Sequence, residues 1–421
     1  MERTPPVSSD LHLLAHLPVR EQVARLANAR GVRSAFERFR SQEPQFALWQ
    51  MEATRIAAPP FAEGARGAWL ADRFRDLGLV DVHADEVGNV FGVRPARGDR
   101  FVALSAHIDT VFPAATPLNI RQQASRLYGP GVSDNGAGIA AILAVASVMA
   151  SVRIEHALPI VFIGNVGEEG EGDLRGMRHV FRTPRWRDTI ACSVIVDGAG
   201  SDTIVAEALG SRRFEVIVRG PGGHSWSDFG APNPIMALAR AIEVFSQTPV
   251  PASPKTTFNV GVFRGGTSVN SIPESASIRV DLRSTSMAEI DRMERALRTA
   301  LERAIAEENR IAAQRGGPRP QVVQSEVIEI GNRPAGELAK DARLLQVIRA
   351  VDSHLGNTAQ VQRASTDANI PLSLGREAIA IGGGGSGGGA HTLQEWFDCN
   401  GRDLGLRRIL LTMLAMAGVD E

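Results

Sequence analysis

The chain has 421 residues, 43% of them hydrophobic and 22% charged, and 46 basic side chains stand against 47 acidic ones for a formal charge of −1. That length implies two or three domains, and the balanced charge removes any global electrostatic reason to bind nucleic acid or an anionic membrane. Cys192 and Cys399 are too few for a disulfide framework or a CxxC metal site, so a reducing, cytoplasmic setting is expected. The opening MERTPPVSSD leads into no apolar signal-type region, and no run reaches the roughly 18 apolar residues that span a bilayer.

In chain order, LLAHL, VARLANA and AFERFR read as amphipathic helices, and ARGAWLADRFRDLG as a further helix stopping at Gly78. Strands follow at VHADEV, NVFGVRP and FVALSA; the last lacks polar alternation, as a strand buried on both faces does. A helix over 137–151, a buried strand LPIVFIGN and another at IACSVIVDG continue an alternation that predicts an α/β sheet with helices on both faces. Near Gly210 the style changes. SRRFEVIVRG alternates with period two, then come the helix PNPIMALARAIEVFSQ, the strands TTFNVGVFRG and SASIRVDLRS, and a polar helix over 287–315, with QVVQSEVIEI as a candidate last strand. Half-exposed strands in that order predict a small α+β domain. Buried segments return with a helix over 338–355, the strand REAIAIGG and a helix over 404–417. The expected division is a main domain of 1–206 and 326–421, with a helical extension over 1–55, interrupted by an inserted domain of 207–325.

Ligands of open α/β sheets bind at the C-terminal strand edge. After FVALSA come His107 and Asp109; Asp134 precedes the helix at 137; Glu168 and Glu169 follow LPIVFIGN; Asp197 ends VIVDG; His391 follows EAIAIGG and its glycines. Taken singly, such acids are turn or helix-capping residues and such histidines are structural. Together they form the donor set of one or two divalent ions, zinc foremost. Adjacent Glu168 and Glu169 repel unless a cation or shared proton compensates. Asp109 can fold back to orient His107, and one glutamate of the pair can ligate while the other serves as general base.

The order HxD, GPGVSDNGAG, GEEGEGD, VDG, an insert opening GPGGHSW, and GGGAHTLQEW resembles the M20 metallopeptidases. That family includes peptidase T-like tripeptidases, glutamate carboxypeptidase, acetylornithine deacetylase and succinyl-diaminopimelate desuccinylase. The resemblance runs from about Pro59 to the end. It implies a zinc-exopeptidase-like three-layer α/β/α catalytic domain with an inserted α+β lid, through which the chain forms a homodimer. It further implies two divalent ions, Zn2+ first and Mn2+ or Co2+ as substitutes. His107 and Asp197 would hold one, Glu169 and His391 the other, and Asp134 would bridge them across a cis bond to Asn135. Asp109 would orient His107, Glu168 would activate the attacking water, and His224 would steady the oxyanion in a neighbouring subunit. Asn270 and Arg283 resemble lid residues that meet the substrate carboxylate; their bland readings are a turn asparagine and a surface-strand arginine. Asn135-Gly136 departs from the Asp-Lys or Met-Lys of many members.

The implied activity is amide hydrolysis, preferably by an exopeptidase on short peptides. A deacylase or amidase of N-acyl amino acids is the alternative with the same centre, and a metal-free, inactive binding protein the alternative of another class. HTLQEW and STDANIPLSLG lean towards the peptidase T-like branch, with Asp367 a structural helix or turn residue. GGGGSGGG matches GxSxG and GxGxxG by composition alone, and no helix or lysine follows to give those patterns meaning. The run is expected to let backbone approach the site closely. Tyr128 reads as a packed loop residue.

Overall fold

Residues 18–152, 154–316 and 321–418 are described by the computed structural model of the protein. The expected helix at LLAHL lies outside them. The chain divides into two units, Met1–Ala208 with Gly336–Glu421, and Leu209–Ala335.

The first unit begins with helices α1 (Val19–Asn28), α2 (Arg30–Ser41) and α3 (Glu43–Thr54). Val32, Ala35 and Phe39 recur at helical spacing on α2 and are buried, while Arg30, Arg33 and Arg40 are exposed. Helix α4 (Gly64–Asp76) leads to β1 (Val80–Ala84), β2 (Val90–Arg94), β3 (Phe101–His107) and a short hairpin of β4 (Arg121–Gln123) and β5 (Arg126–Tyr128). Tyr128 thus ends a strand, with the Arg121 guanidinium 5.4 Å from its ring centre, where a loop residue was expected. The nearly all-apolar α5 (Gly136–Ser151) is buried almost all round, and the Asn135 side chain caps it by accepting from the Gly138 N–H. After it come β6 (Ile160–Asn165), α6 (Arg175–Arg182), α7 (Pro184–Thr189), β7 (Ile190–Val196) and β8 (Thr203–Ala208).

The second unit contains β9 (Gly210–Arg219), β10 (Gly223–His224), α8 (Pro234–Ser246), β11 (Thr256–Gly265), β12 (Ser271–Ile272), β13 (Ser275–Ser284), α9 (Met287–Arg315) and β14 (Gln324–Arg333). Its antiparallel sheet runs β11-β13-β9-β14. Ala276, Ile278, Val280 and Leu282 alternate along β13 and are buried with Leu238, Phe245, Met293 and Leu297 of the two helices. The unit ends at Ala335 and not at the expected 325, because β14 pairs with β9 along its whole length. The strand itself is the one expected at QVVQSEVIEI, displaced by three residues.

The first unit resumes with β15 (Gly336–Glu337), α10 (Arg343–Leu355), β16 (Gln360–Ala364), α11 (Asn369–Ser373), β17 (Glu377–Ile381), β18 (Ser386–Gly388), β19 (Trp396–Asp398) and α12 (Arg402–Ala417). Helix α10 starts five residues later than expected, since 336–337 pair with β8. Among the described residues the main sheet runs β1-β2-β6-β3-β7-β17-β8-β15, with β16 beside β8. The neighbours β6, β3, β7 and β17 are parallel, so their C-terminal ends share one edge. Ala103, Leu104, Phe162, Val194 and Ile379 bury the middle of those strands, which explains their unbroken apolar runs.

Candidate metal centre

Each central strand delivers a polar residue where its apolar run stops. His107 is the last residue of β3, Glu168 and Glu169 follow β6, Asp197 follows β7, and His391 follows β17 after the glycines. Asp134 arrives on the loop before α5, and its bond to Asn135 is cis. All of these residues belong to the first unit.

The two imidazoles meet different oxygens of one carboxylate. His107 Nε2 lies 3.1 Å from Asp134 Oδ1, and His391 Nε2 lies 3.1 Å from Asp134 Oδ2 and 3.0 Å from Glu169 Oε1. Asp197 Oδ1 is 3.8 Å from His107 Nε2. One donor atom each from His107, Asp134 and Glu169 falls within a 4.8 Å cluster. Two ligand atoms on one tetrahedral zinc ion, each bonded at about 2.0–2.1 Å, lie roughly 3.3 Å apart, so imidazole and carboxylate donors at these separations fit a divalent ion in chemistry and spacing.

Electrostatics set the same residues apart. Burial alone would raise the Asp134 pKa, but hydrogen bonds from His107 and His391 outweigh it and hold the carboxyl far below the usual range. Burial works against a charged His107, yet Asp109, Asp134 and Asp197 together raise its pKa. The hydrogen bond to Asp134 lifts His391 to about 9. Burial, then the charge of Asp134, raises Glu169. His391 holds a φ of 65°, which costs a residue with a Cβ about 1–2 kcal/mol and is found at functional sites.

Asp109 does more than the sequence suggests. His107 Nδ1 is 3.2 Å from the Asp109 backbone carbonyl oxygen and 3.6 Å from its carboxylate. That carboxylate accepts the N–H groups of Glu168 at 3.0 Å and Glu169 at 2.8 Å, so one buried acid faces the histidine and fixes the glutamate turn. Beneath it, Arg66 is fully buried and donates to the carbonyls of Ile56 and Ile108. Asp367 is also buried, beside the start of α11, and accepts from Asn165 at the end of β6; burial pushes its carboxyl up to about 7. The glycine run packs closely against its neighbours: a Cβ on Gly382 would stand 2.3 Å from the Ala199 carbonyl oxygen and one on Gly384 2.5 Å from the Arg402 carbonyl oxygen, while one on Gly387 would stand 2.3 Å from the Ser133 side-chain oxygen.

The remaining candidates belong to the second unit. His224 and Asn270 lie together at the β10–β12 pair, where the Ser225 N–H donates to the Asn270 carbonyl oxygen. His224 Nδ1 accepts from the N–H groups of Trp226 and Ser227, which leaves the proton on Nε2. Arg283 sits near the far end of β13, ion-paired with Asp281 at 2.6 Å. Eight residues of strand, roughly 26 Å, separate it from Ser275 at the other end of β13. Sequence reasoning passed over Gln50, Arg402 and Glu395, of which only Glu395 lies in a motif, HTLQEW.

Residues 103–414 match peptidase family M20/M25/M40. The chain belongs to this family. A "Probable carboxypeptidase" of Aspergillus clavatus is 31% identical over 206 residues, 43% of this M20 chain and 44% of that protein. The chain thus spans less than half of that relative. Aminopeptidase PepT from Bacillus cereus superposes with a TM-score of 0.70 at 21% identity, over 89% of this chain and 99% of that one. The YXEP protein of Bacillus subtilis, described as a dinuclear metal-binding peptidase of the M20 family, gives 0.63 at 14% identity, over 90% and 99%. These likenesses show the M20 fold.

Proposed function

We propose that the chain is a dinuclear, zinc-dependent exopeptidase acting on short peptides. The observation that carries this reading is the placement of His107 and His391 on opposite oxygens of Asp134, the arrangement a carboxylate bridging two cations requires. Asp197 on the His107 side and Glu169 on the His391 side complete a ligand pair for each ion. Bound there, two divalent ions polarise the scissile carbonyl and lower the pKa of water.

The chain's own groups do the rest. The Glu168 carboxylate takes the proton of the attacking water and returns it to the leaving amine, its backbone held by Asp109. Asp109 keeps His107 oriented. His224, with its proton on Nε2, is the donor for the developing oxyanion, supplied across a homodimer formed through the second unit. Asn270 and Arg283 are both kept as substrate-binding residues, with Arg283 resting on Asp281. Two unpaired, buried cysteines support a cytoplasmic setting. Among the described residues no helix is long and apolar enough to cross a membrane.

The test is product analysis by mass spectrometry. Zinc-reconstituted protein and a chelated control are incubated with di- and tripeptides and N-acyl amino acids. Zinc-dependent trimming of peptides from one end is expected. Loss of the acylated compounds alone makes the chain a deacylase, and no loss of either refutes hydrolysis.

A further inference from the structure

We propose that Glu395 and Gln50 are positioning residues that clamp the loop from Gly129 to Gly136 and so aim the two oxygens of Asp134; the inference rests on reading the site as a metal centre. The loop needs such support. Over residues 129–135 it belongs to no helix or strand, yet much of its backbone is buried, and buried N–H groups demand partners.

Glu395 supplies them. It is fully buried, four residues after His391, and its carboxylate accepts the N–H groups of Gly131, Ser133 and Asp134, each at 2.7 Å. Its backbone carbonyl accepts the Gly129 N–H at 2.9 Å. The segment that presents His391 is therefore tied directly to the backbone that presents Asp134, and the two ends of the His391–Asp134 contact are registered by one side chain.

The other side of the clamp comes from the N-terminal helices. Gln50 is a buried polar residue on α3 among Phe46, Ala47, Trp49 and Ala53. Its Nε2 donates to the Val132 carbonyl oxygen, and its Oε1 accepts from Arg402 Nη2 at the start of α12. Both ends of the amide are thus used, which fixes its orientation. Thr54, one turn on, donates to the Gln50 carbonyl, and a Cβ on Gly136 would stand 2.6 Å from Thr54 Oγ1. Helix and loop are in contact with no room for a methyl group. The loop's own Asn135 reaches on to the Val196 carbonyl oxygen and the Gly198 N–H, flanking Asp197. Three ligand-bearing segments are locked together through these groups, and α3 is part of the centre's support and not an appendage.

The test uses the full chain, stripped of metal and titrated with zinc alone and with cobalt(II) alone. Glu395→Gln keeps shape but presents an N–H₂ to backbone donors; Gln50→Met keeps volume and drops both hydrogen bonds. The expected result is parent-like circular dichroism, zinc affinity weaker by roughly 10–100-fold in each variant, and an altered cobalt visible spectrum, as loss of a ligand's support produces. Unchanged zinc affinity and cobalt spectrum in Gln50→Met overturn the role of α3, and the same result in Glu395→Gln overturns that of the carboxylate. Affinity lost only in proportion to an unfolded fraction overturns both, since it marks a merely structural role. Should Glu395→Gln not fold, Gln50→Met alone decides the clamp. A parent chain that binds neither ion refutes the metal-centre reading itself and takes this inference with it, a result distinct from variants that match a metal-binding parent.

Discussion

Replacing Asp109 by asparagine isolates one link between fold and chemistry. The carboxylate accepts two N–H groups, from Glu168 and Glu169, through separate oxygens, and it opposes the imidazole of His107. Asparagine retains one acceptor oxygen and turns an N–H₂ towards the second donor, so one buried N–H loses its partner. An unsatisfied buried donor costs about 1–3 kcal/mol, and loss of a charged acceptor lies in the same range. At about 1.4 kcal/mol per tenfold, a distortion of 1.4–2.8 kcal/mol passed to the glutamate turn and to His107 weakens ion binding by roughly 10–100-fold. Glu169 as ligand and His107 as ligand are both affected, so both ions weaken. The assay is zinc competition against a chromophoric chelator on metal-free protein, with circular dichroism as the check on folding. Zinc affinity within about twofold of the parent, in a folded variant, would falsify the claim that Asp109 supports the centre.

Glu168→Gln should keep the ions, since its neighbour is the proposed ligand, while peptide turnover falls roughly 10²–10⁴-fold; a near-parental rate excludes it as the base. Arg408 is fully buried and grips Asp352 through two hydrogen bonds, so Arg408→Met should destabilise the first unit by about 3–5 kcal/mol in denaturant titrations, and Arg408→Met with Asp352→Leu by much less. Equal losses in the two variants contradict the unpaired-charge account. Burial pushes the Cys192 thiol up to about 12 and the Cys399 thiol up to about 11. The folded chain therefore keeps these protons where the unfolded chain releases them, and their contribution to stability declines as pH rises above about 9. At pH 8 native protein should consume no Ellman's reagent within minutes and denatured protein two equivalents; rapid native labelling defeats the argument.

The centre was legible because most of its ligands follow buried apolar strands, His107 and Asp197 directly, Glu169 after a short turn and His391 after the glycines, while Asp134 precedes an apolar helix. A run such as FVALSA announces both the strand and its end. His107, Glu169, Asp197 and His391 fall on one edge because β6, β3, β7 and β17 are parallel neighbours. The supports were not legible. Glu395 meets Gly131 across 264 positions of sequence and Gln50 meets Arg402 across 352, and no periodicity records such a pairing. The setting of Arg283 was equally hidden: VDLRS shows a strand arginine, but only the structure places it near the end of β13 with Asp281 at 2.6 Å.

The place of β17 in the sheet has a consequence for biosynthesis. It lies between β7 and β8, although those two strands are near neighbours in the chain and β17 is made about 180 residues after β7, an interval of roughly 10–40 s at ordinary elongation rates. Throughout that time the apolar edge of β7, with Val194, Ile195 and Val196, waits for the partner that will bring His391. The nascent chain must keep a slot open in its central sheet, exposed to mispairing. The fourth central strand and the last ligand arrive together, so a complete ligand set exists only once the sheet is closed.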